Sequence, residues 1–378
     1  MTNLADAPSR VLSLNAPPIR IHICSESTWA TNTLVDLFNL YLLEGLDLPD
    51  NCENLERVIV RIDPALADGL TRAMRVHEGA RTPLLRARWV EASADSLHLA
   101  EKWAGAGRTS GACHLGWLDD VPSTTLLVLP GPGPASSRLL LRAIRAIASR
   151  MLLQAGWIPL HAASAVVPAG AILLIGRRGG GKTTAMLGML AAGAGFLAND
   201  RVFLAAPQHA EDGAWYARGL PTAVSVRRPT IGLFPPLAAL AHEAAELHCE
   251  NALDGPPPAR RRLLIPSAQL AATFRVPVIA SATPRAIVVV DYRGNNRPSQ
   301  WQTLSVADAL AFLCSLYPDQ WFPDESYEMT RLRDDEHRLR DRHQRQLALL
   351  ATQMPTALFR PGRDAAANLQ RGITDLLG

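Results

Sequence analysis

The sequence predicts an α/β protein, with a strand–loop–helix core in its second half and a separate α/β module before it. Three observations lead to this prediction. The chain has 378 residues, which is long for one compact core. Apolar runs typical of buried strands alternate with amphipathic segments of helical period. A glycine-rich phosphate-binding motif at 176–183 joins one such run to one such segment.

The first module is expected to cover residues 1–135. Its beginning, to about Pro18, is expected as a loose arm, and leucines at helical spacing predict a helix over 28–46. Runs rich in apolar and β-branched residues predict strands at 19–24, 55–63, 82–93 and 124–131. No motif in this module indicates chemistry. The Pro/Gly run 129–137 marks the predicted domain boundary.

The second domain is expected to cover residues 136–378. The same patterns predict helices at 136–156 and 331–353 and strands at 171–175, 284–292 and 356–362. The helix after the glycine-rich motif is expected to end near Ala192, with Gly193 or Gly195 as its left-handed stop. Arginines and acidic residues are mixed over 331–345, so that helix is expected to present a salt-bridged face to solvent.

Composition excludes some classes of partner. The 38 basic and 35 acidic residues are well mixed and give a net charge of only +3, which argues against a nucleic-acid-binding surface. Apolar stretches are short and interrupted by Pro or Gly, so no membrane span is expected. The five cysteines are scattered without C-x-x-C spacing, and the amino terminus has no apolar leader. We therefore expect a cytoplasmic protein.

Residues 176–183 fit the phosphate-loop pattern G-x-x-x-x-G-K-[ST]. Glycines let the backbone curl around phosphates and point N–H groups at them, at the positive end of the next helix. Lys182 is expected to reach the β- and γ-phosphates, and the Thr183 hydroxyl to hold Mg²⁺. Arg177 and Arg178 are expected to face water. ATP and Mg²⁺ are the expected cofactors, and the predicted nucleotide-binding residues are Gly176, Gly179, Gly180, Gly181, Lys182, Thr183 and Thr184.

The segments around this loop resemble, in order and spacing, the catalytic domain of the HPr kinase/phosphorylase family. The resemblance covers about 137–378, and its matching segments are 159–163, 176–184, 196–200 and 217–221. It implies the P-loop kinase fold that this family shares with phosphoenolpyruvate carboxykinase. It also implies that His161 lies beside the transferring phosphoryl group, and that Asp200 assists Mg²⁺ or the acceptor hydroxyl. Arg218, in the R-G-L segment, is expected at the rim of the active site.

The activity that the resemblance implies is transfer of a phosphoryl group from ATP to a hydroxyl such as that of serine, in a small protein, peptide or biosynthetic intermediate. A homo-oligomer is also expected from the family. Two positions depart from the family pattern. The first member of its acidic pair is Asn199 here, and an amide cannot accept a proton from a hydroxyl. The acidic residue that precedes R-G-L in the family is replaced by Ala217 in this sequence. The metal and base arrangement is therefore expected to differ, or activity to be weak.

Two alternatives to a kinase remain at this point. The apolar run 286–290 followed by Asp291 fits a Walker B element, which would make the protein a nucleotide-hydrolysing switch or motor. The neutral Asn199 fits a nucleotide-binding scaffold with weakened catalysis. The kinase hypothesis predicts that Asp200 acts at the phosphates, whereas the ATPase hypothesis predicts that Asp291 does so.

Overall fold

The computed structural model describes residues 10–16, 18–38, 55–68, 97–104, 112–118, 124–207, 213–220, 223–247, 262–294, 297–316 and 336–378. The predicted strand 82–93 and the second part of the predicted helix 28–46 lie outside the described residues. None of the helices of the described residues is both long and apolar enough to cross a membrane.

The described residues form two compact units of mixed α/β structure. The first takes in those up to Leu152, and the second takes in those from Leu153 to the carboxyl end. The predicted boundary at 135/136 therefore differs from the observed division by the length of one helix, Pro134–Gln154. That helix packs almost entirely within the first unit.

The first unit contains a six-stranded sheet in the order β1-β2-β3-β6-β5-β4. Its elements are β1 Arg10–Ala16, β2 Ile19–Ser25, α1 Thr28–Phe38, β3 Glu56–Ile62, β4 Leu97–Ala104, β5 Ala112–Leu118, β6 Thr124–Leu129 and α2 Pro134–Gln154. Strands β2, β3 and β6 are parallel neighbours, and the other pairs are antiparallel. Residues 10–16 are thus an edge strand rather than a loose arm, because their backbone pairs with β2 over its whole length.

A buried ion pair attaches α2 to the sheet of the first unit. Arg150 on α2 donates a hydrogen bond of 2.5 Å from Nη2 to Oε2 of Glu56 on β3. The other carboxylate oxygen of Glu56 accepts a 2.7 Å hydrogen bond from Thr125 on β6. Both charged side chains are almost fully buried. Removing either partner would leave an uncompensated buried charge, which costs about 3–5 kcal/mol. This explains why α2 belongs with the sheet that precedes it.

The second unit is built on a mixed six-stranded sheet in the order β10-β8-β9-β16-β18-β17. A four-stranded sheet, β15-β12-β11-β7, and a two-stranded antiparallel sheet, β13-β14, accompany it. The elements are β7 Ile158–Leu160, β8 Ala162–Val167, β9 Gly170–Ile175, α3 Lys182–Ala191, β10 Gly195–Asn199, β11 Val202–Ala205, β12 Tyr216–Gly219, β13 Ala223–Arg227, α4 Arg228–Ile231, α5 Pro235–Leu247, β14 Arg262–Pro266, α6 Ser267–Phe274, β15 Ser281–Ala282, β16 Pro284–Val290, β17 Gln300–Thr303, α7 Val306–Leu316, α8 Glu336–Gln353, β18 Thr356–Arg360 and α9 Ala365–Leu377.

Strand β9 is the centre of this sheet and is buried on both faces. Ile172 and Leu174 point into a core shared with α3, α6 and α9. Leu173 and Ile175 point into a second core shared with α7, α8 and the four-stranded sheet. The continuous apolar run that predicted this strand therefore reflects cover on both sides. The helix that follows ends where expected, because Gly193 adopts φ +93° after the last turn.

Helix α8 presents charged residues to solvent on one face, as predicted, but its other face is buried. Leu339, His343, Gln346 and Leu347 are buried on one face, while Arg338 and Arg345 remain exposed. The amide of Gln346 donates a 3.0 Å hydrogen bond to the carbonyl oxygen of Gly156. Burial and, to a smaller extent, the neighbouring charge of Arg342 together lower the pKa of His343 to about 3, against a hydrogen bond with the Trp157 backbone that raises it. The buried face of α8 was not predicted, because charged residues outnumber apolar ones in the first half of this helix.

Candidate functional site

The strand order of the second unit brings the candidate residues to one edge of the central sheet. Strand β8 is antiparallel to both β9 and β10, so the carboxyl ends of β9 and β10 lie at the same edge as the beginning of β8. The glycine-rich loop follows β9 there. His161 immediately precedes β8, one strand from the loop, and Asp200 follows β10, two strands away. On the other side β16 is parallel to β9 and ends at Asp291.

The loop 176–181 owes its tight curvature to glycines in conformations that other residues rarely adopt. Gly176, Gly179 and Gly181 adopt φ angles of +149°, +81° and +99°, which other residues rarely adopt. A Cβ on Gly176 would also collide with the carbonyl oxygen of Val290 on the neighbouring strand. Gly181 begins α3 without any side-chain cap, so no side chain occupies the amides of the first helical turn. Amides of this kind bind phosphate oxygens.

Lys182 is held inside this loop. Its ammonium donates hydrogen bonds of 2.6 Å to the carbonyl oxygen of Gly176 and 3.2 Å to that of Arg177. The side chain is only 8% exposed. Burial lowers the pKa of Lys182 to about 8, although the negative charge of Asp200 acts in the opposite direction. Lys182 is therefore a poorly solvated cation that would gain from a phosphate partner.

Two hydroxyls of α3 connect the loop to other elements. The hydroxyl of Thr183 donates a 2.9 Å hydrogen bond to Oδ1 of Asn199 at the end of β10. The hydroxyl of Thr184 lies 3.2 Å from that of Thr230 on α4. The first contact places the predicted metal-holding hydroxyl beside the residue that departs from the family pattern. The second brings an unpredicted element to the loop.

His161 and Asp200 form a polar pair at the sheet edge. The imidazole Nδ1 lies 3.1 Å from Oδ1 of Asp200 and 3.2 Å from its backbone carbonyl oxygen. Both of these oxygens can only accept, so Nδ1 contacts them as an N–H donor and Nε2 is the ring nitrogen on the other side. The side chains are 36% and 50% exposed, which leaves them open to an incoming substrate.

The backbone at Asp200 is strained. This residue has φ +143°, a region populated almost only by glycine. Its amide donates a 3.0 Å hydrogen bond to the carbonyl oxygen of Ala162, which holds the reversal after β10 in place. Such conformations cost about 1–3 kcal/mol and are concentrated at functional sites. The reversal keeps the carboxylate on His161 and within electrostatic reach of Lys182.

Arg218 lies on β12, in the sheet that packs beside β10. Its guanidinium stacks over the ring of Trp157, 5.2 Å from the ring centroid. The following Gly219 is required by close packing, because a Cβ there would collide with the backbone oxygen of Leu197 on β10. The R-G-L segment thus supports the strand that carries Asn199 and Asp200. The position of Arg218 at the rim of an active site remains a prediction.

Asp291 stands one strand from the loop but is engaged by arginines. Its carboxylate accepts a 2.8 Å hydrogen bond from Nε of Arg293 and lies 3.6 Å from Nε of Arg360. Two neighbouring cations compete with a metal ion for this carboxylate. The electrostatic influence on Lys182 comes from Asp200. Asp291 lies one strand nearer to the loop, but Asp200 is the acid whose charge acts on Lys182.

No protein-family model matches this sequence, and no curated protein matches it in a sequence search. Function is therefore inferred from the residues at this edge.

Oxygen atoms suited to Mg²⁺ occur at the site. Thr183, Asn199 and Asp200 offer hydroxyl, amide and carboxylate oxygens, the hard ligands that Mg²⁺ prefers. Within the described part of the chain, no group of three or more His, Cys, Asp or Glu side chains could hold a metal ion. These residues fit Mg²⁺ that is bound together with phosphate oxygens rather than in a cage made by the protein alone.

The structure also shows residues that sequence reasoning did not select. Arg227 and Thr230 approach the loop from the end of β13 and from α4, and Arg360 approaches Asp291 from β18. Thr230 lies 46 residues from the threonine that it contacts. No local pattern marks these positions, because their proximity arises from how distant strands pack.

Proposed function

We propose that the protein is an ATP-dependent kinase that transfers the terminal phosphoryl group to a hydroxyl of a small protein or peptide. The observation that carries this proposal is the His161–Asp200 pair at the same sheet edge as the phosphate loop. A phosphate loop alone supports any nucleotide chemistry. A histidine oriented by a carboxylate adds a proton acceptor, which a hydroxyl nucleophile uses.

In the proposed step, the hydroxyl oxygen of the acceptor attacks the γ-phosphorus and forms a new P–O bond. The bond from the γ-phosphorus to the β–γ bridging oxygen breaks, and ADP leaves with that electron pair. Nε2 of His161 accepts the hydroxyl proton, while Asp200 holds the ring and stabilises the imidazolium that forms. The backbone amides of the loop and Lys182 bind the phosphates and neutralise their charge.

Mg²⁺ held by Thr183, with Asn199 and Asp200 nearby, would neutralise further charge on the phosphates. The amide at position 199 offers one oxygen without a negative charge. The amide of Asn199 cannot accept a proton, but His161 can. The departure from the family pattern at position 199 is therefore compatible with an active enzyme. Loose phosphoryl-transfer transition states depend mainly on positioning and charge neutralisation.

The arrangement supports the finer assignment of the fold to the HPr kinase and phosphoenolpyruvate carboxykinase type. The order of elements matches that family. His161 precedes the antiparallel strand β8, then come β9 and α3 on either side of the loop, and β10 ends at the polar residue Asn199, which Asp200 follows. We also propose a homo-oligomer, and only the resemblance to this family supports that part of the proposal.

Nucleotide hydrolysis with Asp291 as the metal-binding acid is the second candidate. The position of Asp291 at the end of the strand next to β9 favours it. The contacts of its carboxylate with Arg293 and Arg360 disfavour it. The scaffold alternative predicts nucleotide binding without transfer.

Comparing Asp200→Asn with Asp291→Asn tests these alternatives. ATP carrying a labelled γ-phosphate is offered with the small proteins and peptides encoded beside this gene, and both transfer and free phosphate are measured. We expect Asp200→Asn to eliminate transfer, because it removes the orienting carboxylate, and Asp291→Asn to reduce it only modestly. Lys182→Ala is the control that loses ATP binding. The reverse ranking, with free phosphate as the product, would favour the ATPase, and binding without any transfer would favour the scaffold.

A further inference from the structure

Arg227 stands at the outer side of the phosphate loop. It ends β13, and its Nη1 lies 4.0 Å from the position that a Cβ on Gly179 would occupy. Its side chain is exposed, and within the described residues no hydrogen bond or ion pair involves its guanidinium. An unpaired guanidinium beside a loop built for anions is poised to bind an anion.

The backbone that carries Arg227 is anchored to the loop helix. Val224 and Val226 of β13 are fully buried in the core that they share with Met186 and Leu190 of α3. On the other side of Arg227, the Thr230 hydroxyl lies 3.2 Å from that of Thr184. These contacts fix the position of the Cα of Arg227 relative to the loop and leave only the side chain to move.

We propose that Arg227 binds the terminal phosphate of ATP, as a catalytic arginine supplied by the same chain. This inference rests on the proposed nucleotide site. The loop backbone and Lys182 enclose the phosphates from within. Arg227 stands on the outer side of the loop at Gly179, and the terminal phosphate is the one that a loop of this kind encloses least, so the guanidinium is assigned to that phosphate. Arg227 makes no bond to phosphorus; it offers a planar pair of N–H donors to oxygens that gain charge during transfer.

The proposal predicts that Arg227 distinguishes ATP from ADP, since only ATP has the phosphate that the guanidinium would contact. Dissociation constants for Mg²⁺-ATP and Mg²⁺-ADP are measured by calorimetry for the wild type, Arg227→Ala, Arg227→Lys and Arg228→Ala. Arg228, the adjacent and equally exposed arginine, is the matched control for charge. Circular dichroism and the melting temperature without nucleotide show whether each variant is folded.

We expect Arg227→Ala to weaken ATP binding at least about tenfold and to change ADP binding by less than about twofold. Arg227→Lys, which keeps the charge but loses the planar donor pair, should recover part of the ATP affinity, and Arg228→Ala should behave like the wild type. Unchanged ATP affinity in Arg227→Ala would overturn the inference, as would equal weakening of ATP and ADP. A wild type that binds neither nucleotide would overturn the proposed function as well, which is a separate result from binding that ignores Arg227.

Discussion

At the scale of single residues, Lys182 couples nucleotide binding to pH. Burial lowers its pKa to about 8 in the ligand-free protein. Bound phosphates favour the charged ammonium and raise this pKa. Above pH 8 the empty site is increasingly deprotonated, so ATP binding must take up a proton there and its affinity must fall as pH rises. We expect a loss of affinity that approaches tenfold per pH unit between pH 8 and the pKa of the complex.

Calorimetry of ATP binding at pH 8.5 in buffers of different ionisation enthalpy measures this proton uptake. Lys182→Arg is the informative control, because arginine stays charged throughout and binding to it should take up no proton. An affinity that does not change between pH 7 and pH 9.5 would contradict the buried, shifted lysine.

Asn199 is one of the two positions at which this sequence departs from the pattern of the kinase family that it resembles. Its Oδ1 accepts a hydrogen bond from Thr183, a role that a carboxylate performs equally well. We expect Asn199→Asp to retain transfer or to raise it by up to about tenfold, on the order of 1.4 kcal/mol of barrier, and to lower the Mg²⁺ concentration required. Asn199→Ala should be slower, because the Thr183 hydroxyl loses its acceptor. Initial rates measured against Mg²⁺ concentration check both expectations. An Asn199→Asp enzyme as inactive as Asp200→Asn would show that the site needs the neutral amide.

At the scale of elements, helix α8 makes the second unit sensitive to acid. Its buried His343 has a pKa of about 3 in the folded protein, well below the value of about 6.5 expected in the unfolded chain. Between these two values the unfolded chain binds more protons, so folding stability falls as pH decreases through this window. The loss from this group is about 1.4 kcal/mol for each pH unit below 6.5.

Unfolding of wild type and His343→Gln by urea at pH 7, 6, 5 and 4 tests this coupling. Comparing slopes removes the contributions of carboxylates that both proteins share. We expect the wild type to lose stability more steeply than His343→Gln, whatever the variant costs at neutral pH. Parallel pH profiles would show that His343 does not carry the effect.

At the scale of the whole molecule, the described candidate residues all belong to the second unit. ATP should therefore stabilise this unit by mass action, by about 2.7 kcal/mol at a concentration of 100 times Kd. We expect ATP to slow amide hydrogen exchange in α3 and at the end of β10, and to leave exchange in β2, β3 and β6 of the first unit unchanged. Lys182→Ala should show no such protection. Equal protection of both units would mean that the nucleotide site is not confined to the second one.

The strand, glycine-rich loop and helix at 170–191 were predictable from the sequence because the requirements of this turn are local. Glycines with positive φ, a lysine and a hydroxyl must follow one another at fixed spacing, and a buried strand must precede them. The bounds of β9, α3 and β16 were predictable within a few residues for the same reason. Two features were not predicted from hydrophobic periodicity. The buried face of α8 lies among many charged residues, and the edge strand β1 is too short for a clear pattern.

Order along the chain also suggested that His161 and Asp200 belong to the loop's surroundings, but it said nothing of their contact. The pairing of β8 between β9 and β10 decides that contact, since it brings the start of one strand and the end of another to the same edge. Tertiary structure likewise decides that arginines engage Asp291 and that Arg227 reaches the loop. By itself the sequence determined an α/β protein and a glycine-rich loop between a buried strand and a helix, for which phosphate binding is a prediction. Only the packing of distant strands decided which side chains surround that loop, because spacing along the chain does not specify distances across a sheet.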